Sequence, residues 1–256
     1  MRRKNLSGIF FELSILTLVV LGALAPNAYG VVPADIAGTW SFNSFVSGLK
    51  APWWERGTLT VEPDGTFSGS GTDSNGNPAS VSGTFSVSSD GIVISGADYA
   101  DAPLCRMDSG NAVLVCTHFS EAGSSNLTIF TKRTPSYSMS NLAGSWEAST
   151  LSSGPAPWWA IMAETIYPDG TFRGTVNLSE GSSTSVSGQL SIAPSGAITC
   201  LAGFCPGSLD SFTAFMDQGK TVSVGTGWSI PGREALFSIM AKQAASYALD
   251  DLARCD

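Results

Sequence analysis

From Trp40 onward the chain alternates short runs of apolar and β-branched residues with clusters of Gly, Ser, Asn, Asp and Pro. Within the runs, apolar and polar positions alternate with period two, the pattern of a half-buried strand. The runs Thr58–Val61 and Thr66–Ser70 flank Pro63-Asp64-Gly65, and Asp-Gly between two alternating runs predicts a hairpin turn. Val81–Val87, Gly91–Ser95, Cys105–Met107, Val113–Phe119 and Leu127–Lys132 continue the pattern. With the strand opened by Trp40 this predicts about eight strands, and no segment carries a long helical period. Short sequential strands without a long crossover predict an antiparallel up-and-down meander, and closing it into a barrel removes the exposed edges.

The same pattern then recurs. Asp35-Ile36-Ala37-Gly38-Thr39-Trp40 matches Asn141-Leu142-Ala143-Gly144-Ser145-Trp146, and Ala51-Pro52-Trp53-Trp54 matches Ala156-Pro157-Trp158-Trp159. Pro63-Asp64-Gly65-Thr66-Phe67 matches Pro168-Asp169-Gly170-Thr171-Phe172, and Met107-Asp108 matches Met216-Asp217. The fold class expected is therefore all-β, two tandem antiparallel up-and-down barrels of about eight strands each after a leader. The division reads as a signal peptide over 1–30, a β-barrel repeat over 31–134, a linker over 135–140, a second repeat over 141–245 and a tail over 246–256. That tail, Ser246–Ala253, repeats Ser136–Ala143; it is either a short cap closing the preceding unit or the start of a third copy.

Arg2, Arg3 and Lys4 precede an apolar run from Leu13 to Ala25, followed by Ala28-Tyr29-Gly30. A basic stretch, a short apolar core and small residues at the cleavage positions predict an export leader cut after Gly30 and a secreted product, periplasmic or extracellular. The apolar run is too short for an anchor, and no membrane span is expected after cleavage. Removing Arg2, Arg3, Lys4 and Glu12 with the leader leaves ten basic against twenty acidic side chains, a formal charge near −10. Nucleic acid is not an expected partner.

Gly38-Thr39-Trp40 and Gly144-Ser145-Trp146 each open the first strand of a meander. In this the chain resembles the calycin group, the lipocalins and their relatives. The resemblance implies a basic side chain from the last strand packed over the motif tryptophan. Lys132 or Arg133 would supply it in the first unit and Lys242 in the second, since a cation is attracted to the face of an indole. It also implies a barrel whose ligand mouth is framed by the loop between the first two strands.

Catalytic chemistry finds little support. His118 is the only histidine; it reads as a surface strand residue, and its counterpart near Gly227 or Trp228 could not repeat any triad. Asp73-Ser74-Asn75-Gly76-Asn77 departs from a calcium loop in the position of its glycine, and reads as a hairpin. Asp64 and Asp169 precede glycines and read as turn residues. No catalytic residue, metal site or cofactor is expected, and the protein is not expected to be an enzyme. All five cysteines lie in the exported part, where oxidation is expected. Cys200 and Cys205 would close a small ring. Cys105 and Cys116 would pair if the turn between them keeps them on one face. Cys255 is left to stay free or to link two chains.

The repeated Ala-Pro-Trp-Trp falls between the first and second strands. Trp53, Trp54, Trp158 and Trp159 are accordingly the candidate ligand-binding residues, for a small apolar or aromatic molecule. The competing reading makes them packing: plugs at the barrel ends, or contacts with the other unit. Three functions follow from this sequence: a binding protein, an extracellular structural or adhesive module, and a protease inhibitor.

Overall fold

The computed structural model describes residues 31–48, 51–88, 91–95, 103–119, 123–205, 211–229 and 234–243. The leader, its cleavage point, the 246–256 tail and Cys255 lie outside them. Each half is a closed antiparallel barrel of eight strands. The first contains β1 (Gly38–Gly48), β2 (Trp53–Val61), β3 (Thr66–Asp73), β4 (Pro78–Ser88), β5 (Gly91–Ser95), β6 (Leu104–Met107), β7 (Val113–Phe119) and β8 (Ser124–Lys132). The second contains β9 (Gly144–Ser153), β10 (Trp159–Ile166), β11 (Thr171–Leu178), β12 (Ser183–Ile192), β13 (Ala197–Gly203), β14 (Thr213–Met216), β15 (Val222–Trp228) and β16 (Ala235–Lys242). Strands pair in chain order, and closure comes from β8 returning to β1 and β16 to β9.

The turn chemistry is duplicated with the strands. Asp64 Oδ1 accepts from the Thr66 N–H at 2.9 Å and its hydroxyl at 2.7 Å, and Asp169 does the same with Thr171 at 2.9 and 2.7 Å. The following Gly65 and Gly170 have φ of 89° and 87°, which a side chain would oppose. Asp108 and Asp217 organise a second matching pair of turns by accepting three backbone N–H bonds each.

A short helix closes one end of each barrel, α1 (Pro33–Ile36) before β1 and α2 (Met139–Leu142) before β9. Trp40 Nε1 donates to the Ile36 carbonyl at 2.8 Å, and Lys132 Nζ donates to the Asp35 carbonyl at 2.8 Å while lying 5.4 Å from the Trp40 ring centre. The second barrel repeats this with Trp146 Nε1 to Leu142 at 2.7 Å, Lys242 Nζ to Asn141 at 2.9 Å, and 5.5 Å from Lys242 to the Trp146 ring. Of the two candidates in the first unit, Lys132 is thus the residue over the indole; Arg133 reaches across to the Ser195 carbonyl. The motif glycine has its reason here. Gly38 and Gly144 have φ of 128° and 134°, and a Cβ on either would lie 3.2 or 2.7 Å from the lysine Cε. Within the 135–140 segment, Tyr137 is 3% exposed and donates its hydroxyl to the Met216 carbonyl, so this stretch is tied to the second barrel.

The barrels lie side by side along a seam with an apolar centre. Phe45, Trp54, Val115 and Ile129 of the first pack with Val224, Ala235 and Phe237 of the second. The seam explains why β1 is buried on both faces from Trp40 to Val46: even positions fill its own barrel, and Asn43 and Phe45 face the neighbour. Asn43 donates to the Val224 carbonyl and accepts from the Thr226 hydroxyl. Arg56 donates to the carbonyls of Ser211 and Thr226, and its guanidinium stacks 4.5 Å from the Trp54 ring centre. Burial pulls the Arg56 pKa down to about 10, so it stays charged at neutral pH. Trp54 also meets Trp228, whose Nε1 donates to the Ser74 carbonyl.

The seam predicts that the barrels unfold together. Trp54→Ala should lower unfolding free energy by about 3–5 kcal/mol and separate the urea transition into two steps. A loss below about 1 kcal/mol with a single transition retained would show that the seam does not couple them.

Candidate functional site

With the helix end of each barrel closed, the opposite end is where a ligand would enter. In the first barrel this end lies at the β1–β2, β3–β4, β5–β6 and β7–β8 connections. Leu59 and Val61 face the core, and strand alternation places Gly57, Glu55 and Trp53 on the same inward face. Trp53 therefore stands at the rim, 37% exposed. Trp54, its neighbour, points the other way into the seam and is 4% exposed. Trp158 packs against the core of the second barrel. Its N–H donates to Ser152 Oγ at 2.7 Å, which donates to the Trp158 carbonyl at 3.1 Å. Trp159 opens β10 and pairs with Leu151; alternation from Ala160 turns it outward. The four tryptophans thus form no single site. One of each pair faces its own barrel, and of the outward two Trp54 is covered by the second barrel.

Another group of side chains, without Trp53, meets toward the same end of the first barrel. A crevice there is lined by Ile94, Pro103, Cys116, His118, Asn126 and Thr128. His118 is half-buried on the same inward face as Leu114 and Cys116, where a surface position had been expected, and its Nε2 is buried without a hydrogen-bond partner. Ser44 and Thr128 share a 2.7 Å hydrogen bond, and Thr128 also donates to Asn126. Cys116, one of the lining residues, is disulfide-bonded to Cys105. Cys105 and Cys116 are direct cross-strand partners, because four residues between Asp108 and Val113 preserve the face. Cys200 and Cys205 form the second disulfide. Among the described residues no three or more His, Cys, Asp or Glu side chains converge to hold a metal. Nor is any helix there long and apolar enough to cross a membrane.

The interiors differ more than the sequence repeat suggests. Across the first barrel one cross-strand row reads Leu114, Phe130, Phe42, Gly57, Gly71. The matching row of the second reads Ser223, Met240, Ala148, Met162, Val176. The Phe42 ring occupies the space over Gly57 and Gly71, where a Cβ would lie 2.9 and 3.0 Å from it. Ala148 removes that ring, and Met162 and Val176 refill the space from the facing strands. One row along, Trp40 pairs with Leu59, but Trp146 pairs with Glu164. Glu164 is 5% exposed between the core residues Met162 and Ile166, and its Oε2 has no hydrogen-bond partner. Ser223 is fully buried and its Oγ is likewise unpaired. A disulfide in the first barrel corresponds to the pair Ala214 and Gly225 in the second. The sequence carried a signal for Glu164: in Ala160, Met162, Glu164, Ile166 it is the one carboxylate on an apolar face.

No protein-family model matches the chain, and no curated protein does. Among solved structures it is similar to kievitone hydratase from Nectria haematococca, at 8% identity over 83% of this chain and 91% of that one, with a TM-score of 0.29. A Trp-to-Ala mutant of transferrin binding protein B from Haemophilus parasuis aligns at 8% identity over 81% and 77%, with a TM-score of 0.38. At these scores neither supports an argument about this protein.

Burial pushes the Glu164 carboxyl up to about 7 from 4.5. An acid whose pKa rises on folding stabilises fully below its unfolded value and loses that contribution as pH climbs to the folded value. The loss is about 3 kcal/mol between pH 4.5 and 7. Urea unfolding of wild type and Glu164→Gln from pH 4 to 8 should show wild type losing about that much relative to the variant. A constant difference would contradict the assignment.

Proposed function

We propose that the protein is an extracytoplasmic, non-catalytic binding protein that takes small apolar or aromatic molecules at the open ends of its barrels. The observation that carries this reading is the polarity of each barrel: helix, tryptophan and lysine seal one end, and an inward tryptophan from the repeated motif stands at the other. An indole at a concave rim offers a large rigid face for an apolar or aromatic partner. The two disulfides fit an oxidising compartment, as does the leader, and secreted material should begin at Val31 by N-terminal sequencing.

Intrinsic fluorescence titration with fatty acids, aromatic compounds and oligosaccharides tests the proposal. Trp53→Ala should weaken binding at the first barrel at least tenfold, while stability changes by less than about 1 kcal/mol because the side chain is over a third exposed. A wild-type protein silent to the whole panel would retire the reading.

A further inference from the structure

The second barrel holds two buried polar groups that its fold does not require. The first barrel is the internal control: at the positions of Glu164 and Ser223 it carries Leu59 and Leu114, both in its apolar core, and it closes with the same strand order. A buried polar atom left without a partner loses its hydration with nothing in exchange. Glu164 Oε2 and Ser223 Oγ are both in that state, at 5% and 0% exposure. The side chains around them are also of a particular kind. Met216 and Met240 are the cross-strand neighbours of Ser223, and Met162 lies two residues from Glu164 on the same inward face. Methionine is unbranched and polarisable, and repacks around a guest more readily than the phenylalanines of the first barrel. Phe212 belongs to the same core, and the partly buried Trp158 packs against it.

We propose that the interior of the second barrel is a binding site for a small, mainly apolar molecule that carries one N–H or O–H donor, and that the donor pairs with Glu164. The inference rests on the barrel-end reading above and adds a chemical class for one barrel. Glu164 supplies the acceptor, and Ser223 offers a hydroxyl that either donates or accepts. The methionines adjust to the apolar body, and Trp158 is the side chain that moves for entry. The first barrel carries leucine at both positions and so lacks this pair of groups in its core. An acidic ligand of the same size is disfavoured, because its charge would face the Glu164 carboxyl with no cation to balance it.

Calorimetric titration of the mature protein at about pH 8.5, where the Glu164 carboxyl is ionised and only accepts, with octylamine, 1-octanol, octanoate and octyl methyl ether tests this. The amine and the alcohol should bind at least tenfold more tightly than the donor-free ether, with octanoate weakest. Glu164→Leu installs the first barrel's own residue, so it should fold; it should bring alcohol and ether within twofold of each other. Glu164→Gln keeps an acceptor and should retain the preference for the alcohol while reducing that for the amine. Equal affinity of alcohol and ether in the wild type would overturn the inference and leave barrel-end binding standing, as would a preference that survives Glu164→Leu. Absence of binding by all four probes, with no tryptophan response to the wider panel, would overturn both.

Discussion

The interaction on which the rest of the structure depends is the clasp of lysine and tryptophan on a short helix. Three groups that would each be unsatisfied meet there: an indole N–H inside a barrel, a lysine ammonium drawn partly out of water, and the last carbonyls of a helix. Burial lowers the pKa of both lysines, yet each gains a carbonyl and an indole face in exchange for water. The clasp ties the first strand to the last, so it closes the barrel circumferentially as well as at its end. It also gives the barrel a direction. Because one end is sealed by backbone and cation, only the other is left for loops and rim side chains to specialise.

A second constraint acts between the barrels. The seam sets β1, β2 and β8 of the first against β15 and β16 of the second, so the two copies do not offer equivalent surfaces. Identical motifs therefore meet unlike surroundings. Trp54 is enclosed by Arg56, Trp228 and the second barrel, whereas Trp159 at the same repeat position lies on β10, outside the strands that form the seam. Duplication preserved the residue, but the asymmetric docking decided its role.

This marks the boundary between what was legible in the sequence and what was not. Strand alternation, Asp-Gly turns and the repeat identified the barrels, and Gly-x-Trp with a terminal lysine pointed to the clasp. These are local signals or equalities between copies. The seam is neither: Asn43 and Val224 are 181 residues apart, and burial of both faces of β1 looks in sequence like a poorly alternating strand. Trp53 and Trp54 could not be assigned to rim and seam without knowing which neighbour each face meets. His118 escaped for a related reason, since its inward direction follows from parity with Leu114 and Cys116, and parity needs the register.

The interiors show how a repeat can diverge without loss of fold. Phe42 over two glycines and Ala148 beside Met162 and Val176 fill equivalent space by moving bulk from one strand to its neighbours, a compensated exchange that packing tolerates. The replacements of Leu59 by Glu164 and Leu114 by Ser223 are of another kind, because no partner residue changes to satisfy the polar atoms they introduce. Compensation in volume without compensation in hydrogen bonding leaves the second barrel packed but polar at its centre. A core under selection for stability alone would keep the leucines, since they cost nothing in desolvation. The second barrel thus keeps at its centre two polar groups that its own packing does not require.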